Sequence, residues 1–72
     1  MYQVFAFYPY IGIKVRLTEY SKLEEMNQYI GGLRMCNTSY VAYNNYKKMI
    51  DLGIFDTTRE QMVQLLSDFL KK

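Results

Sequence analysis

A single cysteine, Cys36, and no histidine leave this 72-residue chain without the staples that small domains commonly use. No internal disulfide can form, and one thiol with no imidazole partner excludes the usual structural zinc sites. A domain this short lies near the lower limit of what a hydrophobic core can hold by itself, so its stability has to come from packing. The material for packing is present: half of the residues are apolar, with eight tyrosines and four phenylalanines. A lone thiol without a disulfide framework also fits a reducing, cytoplasmic setting. The expectation is one small regulatory or binding domain over residues 1–72, with no cofactor and no metal.

The same inventory bears on function. Without histidine, the Ser-His and Cys-His pairs that activate nucleophiles cannot be assembled. Cys36 has only Arg34 as a cation nearby in sequence, and a structural role is expected of it. Glu24 and Glu25 are adjacent, so on a helix they point about 100° apart and make no carboxylate pair. Gly31-Gly32 lacks the spacing of a phosphate loop. The chain reads as non-catalytic. Nine basic and seven acidic residues give a net charge of +2, without the clustered basic excess that neutralises phosphates, so direct DNA binding is disfavoured. The apolar stretch Met1 to Ile13 is too short to span a bilayer and is interrupted by Pro9 and Gly12. It lacks the basic lead and cleavage site of a signal peptide, which again points to the cytoplasm and to no membrane partner.

Periodicity suggests the elements. Residues 2–8 are aromatic and β-branched, and residues 11–18 alternate, with Ile11, Ile13, Val15 and Leu17 on one side. Tyr8-Pro9-Tyr10 with Gly12 supplies a turn, so an antiparallel hairpin is predicted. Ser21 to Glu24 fits a capping box. The helix it opens carries Leu23, Met26, Ile30 and Leu33 on one stripe and should stop at Gly31-Gly32. A second helix is predicted from about Ser39 to a stop at Gly53, with Ala42, Tyr43, Tyr46, Met49 and Ile50 on its apolar face. A hairpin of Tyr40–Tyr43 and Tyr46–Ile50 around Asn44-Asn45 is the second-ranked reading, because alternation there is poor. Thr57 to Glu60 reads as another capping box, opening a last helix to about Leu70. The predicted fold is α+β: an N-terminal antiparallel β-hairpin packed against three short α-helices.

The last helix has an apolar arc of about 160°, wider than a minimal core stripe. Val63 and Leu70 lie at one margin and Leu65 at the other. The expected packing covers both margins, and an uncovered one would receive a partner or a second copy as a homodimer. Tyr43 and Tyr46 are expected in the core. Tyr29 falls at the edge of the first helix's stripe beside Glu25, and Tyr40 projects onto the Lys47/Asp51 side of the second, where tyrosine suits a contact surface.

The opening MYQVFAFYPYIGIKV, the richness in Tyr, Asn, Lys, Ile and Met, and the two caps together resemble small regulatory proteins of temperate phages of low-GC Gram-positive hosts. Among these the chain looks like the antirepressors called modulators of repression, from the genetic switch of lactococcal phages. The resemblance implies a non-catalytic partner, the helix-turn-helix DNA-binding domain of a phage repressor, and a bias towards lytic growth. A DNA-reading surface is basic, so its antagonist should offer carboxylates and tyrosines. The groups available are Glu24, Glu25, Tyr29, Tyr40 and Asp51. The alternative is a small DNA-binding protein with a helix-turn-helix at residues 40–70, reading bases through Thr58, Arg59, Gln61 and Gln64. A structural subunit or assembly chaperone is a third class.

Overall fold

Val4, Phe5, Ala6 and Phe7 are all buried. A strand sends successive side chains to opposite faces, so four buried residues in a row require cover on both sides of a sheet. The computed structural model, which describes residues 1–8 and 14–71, has that arrangement. Its elements are β1 (Tyr2–Phe7), β2 (Val15–Tyr20), α1 (Leu23–Met35), β3 (Ser39–Tyr43), β4 (Met49–Gly53) and α2 (Arg59–Leu70). The strands form one four-stranded sheet in the order β2-β1-β3-β4, and each neighbouring pair is antiparallel.

The two helices take opposite faces. Val4, Ala6, Tyr40 and Ala42 point to α1 and meet Met26, Ile30 and Leu33. Phe5, Phe7, Val15 and Val41 point to α2 and meet Met62, with Leu65, Leu66 and Phe69 partly buried around them. The chain is thus α+β, but with a helix on each face of a four-stranded sheet. This corrects the expectation of three helices against an N-terminal hairpin: β1 and β2 pair as expected, as half of a larger sheet. Val15 and Leu17 share the α2 face as their alternation predicts. Ile11, Ile13 and the turn at Pro9 and Gly12 lie outside the described residues.

The predicted second helix is a β-hairpin, the second-ranked reading. Asn44 organises its turn. The Asn44 side-chain oxygen accepts from the amides of Tyr46 at 2.9 Å and Lys48 at 3.0 Å, and its carbonyl accepts from the Lys47 amide at 3.0 Å. Lys47 completes the reversal at a φ of 60°. A register shift between Ala42 and Tyr43 leaves Ile50 as an extra residue on β4. Gly53 is therefore a strand residue and not a helix stop. A side chain there would run into the rings of Tyr40 and Phe55. Tyr43 packs edge-on against Phe5 at 5.8 Å, whereas Tyr46, expected in the core, is exposed in the turn.

Helix ends differ in detail from the sequence reading. α1 begins after Lys22, with no side-chain cap from Ser21, and runs through Gly31 and Gly32. Glycine adopts right-handed helical angles at only a modest entropic cost, so the pair does not force a stop. The stop comes at Asn37, with φ of 52°. The Thr38 amide donates to the Leu33 carbonyl at 2.9 Å and the Asn37 amide to that of Arg34 at 3.1 Å. These are the two bonds of a Schellman motif, with asparagine in the left-handed position. α2 does open with a capping box, one residue later than expected: Thr58 Oγ1 accepts from the Gln61 amide, and Gln61 Oε1 accepts from the Thr58 amide, each at 3.1 Å.

Candidate protein-binding surface

The structure separates the five residues singled out by sequence. Glu24 and Glu25 stand exposed in the first turn of α1. Negative charge is favoured there by the helix dipole, which accounts for them structurally as well. Tyr29 is half-buried against the sheet, its ring 5.7 Å from that of Tyr20 and its hydroxyl 3.5 Å from that of Tyr8. Burial and the Tyr29 hydroxyl push Tyr8 up to about 12. Tyr40 is not on a helix surface. It is a fully buried β3 residue with no area to offer a partner, which corrects its placement among contact residues.

Asp51 is joined to Tyr40 through a residue the sequence reading did not use. Arg34 donates from Nε to the Tyr40 hydroxyl at 2.8 Å and from Nη2 to both Asp51 oxygens at 3.0 Å. Burial raises the Tyr40 hydroxyl above its ordinary pKa, against the lowering effect of the Arg34 hydrogen bond. Arg34, Tyr40 and Asp51 form a clamp between helix and sheet. The expected acidic face therefore reduces to Glu24 and Glu25.

An apolar exposure lies on the other face. α2 packs mainly over β1 and β2 and reaches Val41 of β3 through Met62. On this side β4 and the end of β3 are therefore the least covered, with Met49 exposed and Tyr43 and Leu52 only partly buried. One helix is about 10 Å across and strands are spaced about 4.8 Å apart, so a helix covers roughly two strands. The result is an apolar trough. Along β3 and β4, Val41, Tyr43, Met49, Leu52 and Ile54 make its floor and Val63 and Leu66 of α2 its wall. It continues under Leu66 and Leu70 onto Phe5 of β1 and Leu17 of β2. It holds two adjoining cavities of about 330 and 120 Å³, which share Tyr43 and Leu66. Val63 and Leu70 are 63% and 65% exposed, and Met49 is 55% exposed. The spare width of the last helix was the signal for this surface in the sequence. The expectation that the fold covers that margin is overturned, because the predicted second helix is part of the floor.

Residues 49–53 being a strand, the helix-turn-helix envisaged over residues 40–70 does not form. No helix among the described residues is long and apolar enough to cross a membrane. Cys36, expected to be buried, is an exposed free thiol at the end of α1. No protein family, curated relative or solved structure matches the chain.

Proposed function

We infer that this chain is a non-catalytic regulator that works by binding another protein. The observation that carries the reading is the trough beside α2, where Met49, Ile54, Val63 and Leu70 stand exposed along one surface. A contiguous apolar surface of this kind costs solubility and is explained when a partner covers it. The specific partner in this reading is the helix-turn-helix DNA-binding domain of a phage repressor, with occlusion of its operator-binding surface favouring lytic growth. Support for that choice comes from the resemblance of the opening segment to temperate-phage antirepressors. Glu24 and Glu25 add support, being exposed carboxylates suited to a basic DNA-reading surface. The setting is the host cytoplasm, where Cys36 stays a thiol.

The test is co-purification with the repressor's DNA-binding domain, followed by an operator-binding assay. The expected result is a complex at micromolar concentration and loss of operator binding. The combined change Glu24→Lys with Glu25→Lys should weaken that complex. Absence of a complex overturns the antirepressor reading, as does steeply salt-dependent DNA binding by the chain alone.

A further inference from the structure

We propose that the trough beside α2 receives one amphipathic helix from the protein partner, about three turns long, apolar on one side and edged by carboxylates. The proposal rests on the protein-binding reading and deepens it by naming the element that docks. Dimensions come first. Neighbouring helices pack about 8–10 Å apart, which is two strand spacings. A helix laid beside α2, which sits over β1 and β2, would therefore lie over the end of β3 and β4. The length of a five-residue strand is roughly 17 Å, equal to about 11 helical residues at 1.5 Å each. Arg59, Val63, Leu66 and Leu70 recur at four- and three-residue intervals, so they form one ridge along the wall. Such a ridge is what a neighbouring helix packs against.

The rim supplies the charge. Among the described residues lining the trough, the charged ones are Lys47 at one end and Arg59 at the other. Neither is where local structure favours it. Lys47 holds a φ of 60°, a conformation that suits glycine or asparagine better than lysine. Arg59 stands in the first turn of α2, where the helix dipole disfavours a cation. Both are exposed, and among the described residues neither has a carboxylate at salt-bridge distance. Carboxylates along the edges of the docked helix would answer both cations.

A second copy does not fit the trough. Its α2 turns Glu60, Gln64, Asp68 and Lys71 outward, and its α1 turns Glu24, Glu25 and Gln28 outward. The ridge that its α2 leaves open, Val63, Leu66 and Leu70, also carries Arg59, so a second copy would bring another cation to the rim and not the carboxylates that would answer it. The β4 edge is also partly closed, because the Leu52 amide donates to the Asp51 side chain that Arg34 holds.

The experiment titrates the full chain, methyl-labelled at Ile, Leu, Val and Met, with three synthetic helical peptides that share a Leu/Ile stripe. One has glutamates along the edges of the stripe, one has lysines there, and the third is the glutamate peptide with a central proline. The expected result is saturable shifts at Met49, Ile54, Val63 and Leu70 with the glutamate peptide. Affinities for the lysine and proline peptides should be at least tenfold weaker. Val63→Glu should lower affinity for the glutamate peptide at least tenfold without moving the urea midpoint, since Val63 is largely exposed. Equal affinity for the glutamate and lysine peptides, shifts confined to α1, or no saturable binding overturns the proposal. A repressor-domain complex untouched by Val63→Glu also overturns it, while leaving the protein-binding reading in place. Peptide binding at the trough without a repressor complex supports it and removes only the antirepressor identity.

Discussion

Arg34 Nη2 lies 3.0 Å from both carboxylate oxygens of Asp51, tying the last turn of α1 to the edge strand β4. The same guanidinium satisfies the hydroxyl of Tyr40, whose ring is fully buried beneath it. Tyr40→Phe removes that hydroxyl and leaves the arginine to water, so the expected cost is about 1 kcal/mol. Tyr40→Ala empties the site and should cost about 3–5 kcal/mol, a large part of the stability of a domain this size. Asp51→Ala breaks a pair whose partners are 28% and 55% exposed, and should cost no more than about 1 kcal/mol. Urea unfolding of the three variants checks this order, with an unchanged slope showing that only stability moved.

A second clip holds the start of β3 to the segment before α2. Ser39 is fully buried, and its hydroxyl donates to Asp56 Oδ1 at 2.8 Å. It also accepts from the amides of Phe55 at 2.9 Å and Asp56 at 3.3 Å. Ser39→Ala strips a partner from two amides and a carboxylate at once, so roughly 1–3 kcal/mol should be lost. Asp56→Ala acts on the same network, and the double variant should lose less than the sum of the singles.

The errors in reading the sequence have a physical pattern. β1 was legible because its aromatic run suits only a strand, and α2 because its stripe and cap agree. β3 was not, because Ser39, Tyr40, Val41 and Ala42 are all buried. A strand covered on both faces shows no alternation, and the spacing of Ala42, Tyr43, Tyr46 and Met49 happens to suit a helix as well. Of the expected site, Glu24 and Glu25 stayed on the surface because capping-turn carboxylates are solvated. Tyr40 did not, because its assigned element changed. The trough was half legible, in the width of the α2 stripe, and became visible only once its floor was a sheet.

The glycines offer a test of opposite signs. Gly31 and Gly32 lie inside α1, neither has positive φ, and a side chain at either meets nothing within 4 Å. Replacing each with alanine should stabilise by about 0.5–1 kcal/mol, through helix propensity and a less flexible unfolded chain. One kcal/mol corresponds to roughly 4–8 °C in Tm at this size. Gly53→Ala should do the reverse. Its new methyl group lies within 2.7 Å of the Phe55 ring and closer still to that of Tyr40, so about 1–3 kcal/mol of overpacking is expected. Thermal melts of the three variants give the signs directly.

Stability should fail on the alkaline side in a defined window. Tyr8 rises from an ordinary 10.0 to about 12, first because burial desolvates it and then because of its hydrogen bond to Tyr29. Tyr20 and Tyr40 are also raised, in each case chiefly by burial. A phenol whose pKa is higher in the folded state stays neutral there while the unfolded chain ionises. Its contribution is complete below the unfolded value of 10.0 and is lost as pH climbs to about 12. Unfolding free energy should therefore be insensitive to these tyrosines at neutral pH and fall steeply across that interval. Tyr8→Phe should flatten part of the fall, since phenylalanine has no proton to lose. Urea midpoints measured from pH 9 to 12 for the parent and Tyr8→Phe chains would give two curves of different slope, and coincident curves would show that Tyr8 ionises alike in both states.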